Sequence, residues 1–353
     1  MKELTIRPNE AGQRLDKFLG KYMDLAPKSF FYKMLRKKNI TLNGKKAAGN
    51  EMLSVGDTVK LFLSDDTIDK FSSFRAPDTS QKNAVPGSGK LPKRPKPENG
   101  QLDILYEDAH TIFINKPVGM LSQKASPGDV SLVEYLTAYL LDSGQITRDE
   151  LRTFHPAVCN RLDRNTSGIV AAGKTLGALQ GLGKMFRERS MKKYYLCLVN
   201  GILTDEKRIS GWLVKDERKN RVTVMREEIK GSARIETEYH PLKTGDGVTL
   251  LEVHLITGRT HQIRAHLASE GHPIIGDYKY GNRAINDSYR KNWGLSSQLL
   301  HAARLCIPDC TDRGAALAGI SGMEITAPLP PLFEKICRDK GVKTGWRHGI
   351  QED

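Results

Sequence analysis

Residues 160–174 read NRLDRNTSGIVAAGK, a polar loop that runs straight into an apolar stretch. GIVAA is short, small and partly β-branched, and it reads as a buried strand. Asp163 stands just ahead of it, between Arg161 and Arg164. Loops at strand ends are common positions for catalytic groups. Neighbouring positive charge favours an ionised carboxylate, and such a group can act as a nucleophile or a base. A turn cap or a plain arginine pair is the commoner use of a loop aspartate, and the residues alone leave both uses open.

Working outward, DILYEDAHTIFINKP upstream is strand-like, and a helix, SLVEYLTAYLL, follows with Ser131 as its cap. Downstream come a helix, LGALQGLGKMFRER, a strand, KKYYLCLVNG, and the alternating segments RVTVM, ARIETEYHPL and VTLLEVHLI. A short helix, THQIRAHLASEG, precedes PIIGDYKYG, and strand LHAARLCI and helix PLFEKICRD close the unit. Many strands with intervening helices predict an α+β fold with a mixed, largely antiparallel sheet. Tyr194 and Tyr195 point to opposite faces of their strand. One suits the core and the other a cavity, where an aromatic ring can stack on a base or assist a proton transfer; an ordinary strand tyrosine is the equal alternative. Arg259, His261, Arg264 and His266 fall within two turns of the short helix. Arg264 suits a buried carboxylate or a phosphate held by two hydrogen bonds, the plainer alternative being a basic helix with satisfied histidines. His261 and His266 lack the spacing of a helical metal pair.

Ahead of this unit, Leu15, Phe18, Leu19 and Tyr22 follow helical spacing, as do Phe31, Met34 and Leu35, with Ser29 as a candidate cap. Asn43-Gly44 signals a hairpin and VGDTVKLFL alternates like a strand. The expected organisation is a small α/β unit over 1–63, a flexible linker rich in Pro, Gly, Ser and Lys over 64–100, and a large catalytic unit over 101–345.

The 353 residues carry a formal charge of +14, which suits a polyanionic partner. Residues 1–63 hold 13 Lys/Arg against 6 Asp/Glu. About half of the excess charge therefore sits in less than a fifth of the chain. Mean hydropathy is −0.46, no apolar run approaches the roughly 20 residues of a membrane span, and the charged start lacks the apolar core of a secretory signal. Cytoplasmic residence is expected. A membrane-surface role would need a basic amphipathic helix with an exposed apolar face, and none is convincing. The five cysteines are odd in number and scattered, which reads as free thiols and not as a disulfide framework or a zinc site.

Two resemblances sharpen this reading. The span from Ala11 to Leu63, through RLDKFL, PKS…LRKKNITLNGK and VGDTV, resembles the RNA-binding domain named after small ribosomal subunit protein four. The likeness implies RNA contacts from Lys28, Ser29, Arg36, Lys37, Lys38, Asn43 and Lys45, and Arg161 joins them as a candidate beside Asp163. From Leu102 to Asp339, ILYEDAHTIFINKPVGMLSQ, NRLDRNTSGIV, KKYYLCLVNG, TGRTHQIRAHLASEGHPIIGD and LHAARL together resemble, in order, the RluA-type family of pseudouridine synthases. That likeness implies Asp163 as the group that attacks or assists at the anomeric carbon of uridine. It implies Tyr195 as an active-site tyrosine near the base, a candidate for removing the proton from carbon five, and Arg264 as the partner of Asp163. It implies no cofactor and no metal, and a monomer acting on RNA, with large-subunit ribosomal RNA as the expected substrate. A tRNA substrate and a non-catalytic ribosome-assembly factor are the alternatives; the joint retention of Asp163, Tyr195 and Arg264 argues against the second. Asn160 departs from the family's usual His before the RLD.

Overall fold

The computed structural model describes residues 1–73 and 102–342. They fall into two compact units.

The first unit contains the N-terminal residues together with Leu136–Pro156 and Thr175–Gly177. Its elements are β1 (Lys2–Thr5), α1 (Leu15–Tyr22), α2 (Lys28–Arg36), β2 (Ile40–Leu42), β3 (Lys45–Lys46), β4 (Thr58–Leu61) and α3 (Asp65–Lys70). The strands form an antiparallel sheet in the order β1-β4-β2-β3. Leu15, Phe18 and Leu19 of α1, Phe31 and Leu35 of α2, and Ile40, Val59 and Leu61 of the sheet bury one another. Asn43 and Gly44 hold φ of 50° and 72°, the left-handed pair that a two-residue hairpin needs. The Asn43 side chain donates to Asp57 at 2.9 Å and accepts the Thr58 amide at 2.8 Å, so its amide group is already committed to the turn.

Two expectations change here. Ser29 does not cap α2: Pro27 occupies the boundary, with φ −67° and ψ 146°, and Ser29 lies exposed inside the first turn. The stretch read as linker from Ser64 opens with α3. Ser64 caps it at the Thr67 amide, Asp65 and Asp66 suit the positive end of the helix dipole, and Ile68 is buried. Residues 74–100 of that stretch lie outside the described residues.

The remaining elements are β5 (Ile104–Glu107), β6 (Thr111–Lys116), α4 (Leu132–Asp142), β7 (Ala157–Val158), β8 (Ser167–Gly173), α5 (Leu176–Glu188), β9 (Lys192–Asn200), β10 (Lys207–Asp216), β11 (Arg221–Met225), β12 (Ala233–Gly245), β13 (Val248–Leu255), α6 (Gln262–Ser269), α7 (Arg283–Trp293), β14 (Leu300–Cys306), β15 (Glu324–Thr326) and α8 (Pro331–Asp339), and they belong to the second unit except for Leu136–Asp142 of α4 and Leu176–Gly177 of α5. Nine strands run in the order β11-β10-β12-β13-β9-β14-β8-β6-β5, with β15 added to β14 and β7 to β8. Among the described strands the pairing is antiparallel throughout except for β8 with β14. This is the mixed, largely antiparallel α+β sheet expected. The interior strand β8 is buried along its whole length, which is why its sequence is continuously apolar and not alternating. α5 packs Leu182 and Met185 with Phe113, Ile169 and Ala171, and α8 packs Phe333 and Ile336 with Leu196 and Leu198.

DILYEDAHTIFINKP proves to be a hairpin, because Asp108 accepts the amides of His110 and Thr111 and turns the chain between β5 and β6. No described helix is long and apolar enough to cross a membrane.

Candidate active site

The loop before β8 is fixed residue by residue. The Thr166 amide closes a turn on the Asp163 carbonyl at 3.0 Å, and Gln298 donates to the Thr166 hydroxyl at 3.2 Å. Ser167 meets His301 Nδ1 at 2.9 Å across the β8–β14 pairing. Gly168 has φ 108°, and a Cβ there would lie 2.2 Å from the Ala302 carbonyl oxygen, so only glycine permits the crossing. The TSG of the motif is thus a tether, a clamp and a close approach. On the other side, the Ser122 hydroxyl donates to the Leu162 carbonyl and accepts the Leu162 amide, both at 3.0 Å.

Lys116, at the end of β6, is fully buried and donates to the carbonyls of Pro117, Met120 and Arg164 at 2.9, 2.9 and 3.1 Å. Burial draws its ammonium down to about 7, opposed by the charge of Asp163. Three carbonyls facing one nitrogen need three protons on it, however, and only the ammonium supplies them. We therefore read Lys116 as charged, tying the INKP turn to the Asp163 loop.

Asp163 is 101 residues from Arg264 in sequence, and Arg264 Nη1 donates to its Oδ2 at 2.9 Å. The pairing implied by the resemblance is therefore present. Sequence reasoning left unnamed the carboxylate that aims the arginine. Asp277 accepts Arg264 Nε at 2.7 Å and Nη2 at 2.9 Å, and its Oδ1 also accepts the amides of Lys279 and Tyr280. Its side chain is wholly inaccessible. This planar fork leaves only Nη1 for Asp163. Burial opposes the charge of Arg264, yet Asp277 and Asp163 outweigh it and hold its pKa above the ordinary value. The one signal available beforehand was the GD that ends PIIGD.

Above the loop lies a cavity of about 730 Å³, lined by Asp163, Tyr195, His261 and Arg264 and by the cations Lys124, Arg161, Arg164, Arg259 and Lys279. Asp163 is the one carboxylate among its lining residues. Tyr195, on β9, is the buried member of its pair, and burial and then the charge of Asp163 push its hydroxyl pKa up. Tyr194 faces away, between the His254 ring at 4.8 Å and the Arg304 guanidinium at 3.9 Å. His266 is a satisfied core histidine bonded to Thr237 at 3.0 Å. Asn160, where the resemblance implies histidine, accepts the Ala171 amide at 2.8 Å and donates to the Ile169 carbonyl at 3.2 Å; it stitches the loop to β8. Arg161 is exposed and lines the cavity. Lys28, Ser29, Arg36, Lys37, Lys38 and Lys45 are exposed in the first unit.

A model of the RNA pseudouridylate synthase family matches residues 110–269. The ribosomal large subunit pseudouridine synthase C of Vibrio vulnificus is 33% identical over 94% of this chain and 94% of its own. That of Escherichia coli (strain K12) is 31% identical over 86% of this chain and 88% of its own. Human RNA pseudouridylate synthase domain containing 4 matches in structure with a TM-score of 0.55 at 21% identity, covering 68% of this chain and 94% of its own, which supports the fold. On identity maintained across almost the whole length, the chain belongs to the RluA-type family of pseudouridine synthases, isomerases that act on uridine in RNA.

Proposed function

We propose that this protein isomerises uridine in large-subunit ribosomal RNA in the cytoplasm, with Asp163 as the reacting carboxylate. The observation that carries the reading is the anchoring of Asp163. Arg264 holds Oδ2, while the carboxylate borders a cavity otherwise charged by cations. A uridine turned out of its helix brings its anomeric carbon to Oδ1. The bond from that carbon to nitrogen one breaks, the freed uracil rotates, and carbon five takes its place, losing its proton as nitrogen one gains one. Tyr195 lies beside the base. With its hydroxyl pKa raised it keeps its proton at neutral pH, so it serves better as a wall and hydrogen-bond donor than as a phenolate base.

The ribosomal RNA reading rests on the names of the relatives. Lys28, Arg36, Lys37, Lys38 and Lys45 form no salt bridge among the described residues, which leaves them available to phosphates. Pseudouridine mapping of cellular RNA with and without the protein tests the reading. Loss at defined large-subunit positions, restored by the wild-type chain, is expected. A change confined to tRNA would move the substrate, and no change in any RNA would overturn the activity.

A further inference from the structure

His261 lines this cavity and takes no part in the proposed chemistry or in the pairing of Asp163 with Arg264. It precedes α6 with φ 53° and ψ 17°, a left-handed conformation that a bulky residue adopts only under strain. Strain of that kind persists where surrounding contacts impose it, and here they do. His261 Nδ1 lies 3.0 Å from the Tyr280 hydroxyl, which also accepts the Val222 amide at 2.9 Å. In the tautomer in which the hydroxyl donates its own proton to Nδ1, the neutral imidazole carries its hydrogen on Nε2. That atom lies 3.8 Å from Asp163 Oδ2, the oxygen that Arg264 holds, and the side chain is only 9% exposed.

We infer that His261 is a second positioning residue for the reacting carboxylate: its Nε2–H closes on Asp163 Oδ2 when RNA fills the cavity, so that two donors fix one oxygen and present Oδ1 to the ribose. The free-enzyme distance is too long for a hydrogen bond, and contacts of this kind tighten on substrate binding. The imidazole must be neutral to donate from Nε2 with Nδ1 accepting. Burial favours that form, as do the neighbouring charges of Arg264 and Lys279, while Asp163 and Asp277 oppose it; Tyr280 is the remaining titratable neighbour.

The inference rests on Asp163 being the reacting group, and the experiment separates the two. Single-turnover rates on a large-subunit RNA fragment are measured for wild type, H261N, H261Q and D163N across pH 5 to 8, with RNA affinity and melting temperature alongside. Asn tolerates the left-handed backbone and keeps a group at the Nδ1 position but has none at Nε2. The expected result is a folded H261N with unchanged affinity, a rate about 100-fold lower and an acid limb that loses one titrating group, whereas H261Q, which reaches the Nε2 position, regains part of the rate. H261N turning over like wild type, or H261Q falling as far as H261N, would overturn the role of His261. An active D163N would instead overturn the reading beneath it.

Discussion

Lys37 and Arg264 carry the same charge in the same basic chain, but one stands in water at the end of α2 and the other is 9% exposed between two carboxylates. A solvated cation interacts through a medium that screens it within about 8–10 Å, and a single surface contact contributes about 0–1 kcal/mol. Its exact position matters little, and several such residues act as a sum. The buried arginine has given up its hydration, so its partners must be in place, and losing one leaves an uncompensated charge that costs about 3–5 kcal/mol. Affinity is thus expected to be spread over many tolerant residues of the first unit, and chemistry concentrated in a few intolerant ones of the second.

The sharpest way to break this contrast is D277N. It keeps the volume but turns a donor toward the guanidinium, so about 3 kcal/mol of stability and about 100-fold in single-turnover rate should be lost, with RNA affinity held. Urea denaturation and a saturated rate measurement check both; a wild-type rate would mean that Asp277 does not aim Arg264. K116M comes next. Three carbonyls lose their donor, each worth about 1–3 kcal/mol when buried and unpaired, and melting should fall sharply before any effect on affinity.

A third effect comes from His266 and His301, both buried and both drawn down to about 4, in each case first by burial. Their folded pKa values lie below the ordinary 6.5, so the unfolded chain binds protons that the folded one refuses. Stability present above pH 6.5 should therefore be lost as pH falls toward 4, by about 3 kcal/mol for each residue. Urea midpoints from pH 7 to 4.5 read this directly, and H266Q or H301Q should flatten the slope.

The smallest single effects belong to the first unit. Changing Lys28, Arg36, Lys37, Lys38 and Lys45 together to Gln should lower the slope of log affinity against log salt by about 2 to 4, while K45Q alone removes less than about 1. The saturated rate should not move. An unchanged slope would make the cluster a solvated face and nothing more.

The sequence was legible where burial imposed a period or a run. β8, β9, β14, α5 and α8 all lie near their expected positions. It was opaque where polar atoms set the geometry. α7 buries only Asn286 and Tyr289, too little apolar surface to mark a helix. Lys116 ends a strand-like stretch, and nothing in the sequence marks the three carbonyls that fold onto it. Asp277 and Arg264 meet across a turn, 13 residues apart, at no helical or strand spacing. Asp163 itself was one of many loop aspartates on its residues alone, and the order of the surrounding motifs singled it out.

The most direct measurement is pseudouridine formation by D163N on a large-subunit ribosomal RNA fragment, with binding measured on the same RNA. Replacing the carboxylate by an amide of equal size should leave a folded protein that binds with wild-type affinity and forms no detectable pseudouridine over many wild-type turnover times. Formation at a rate near wild type would contradict the assignment of Asp163 and, with it, the account of a buried charge cluster built to hold one reactive oxygen.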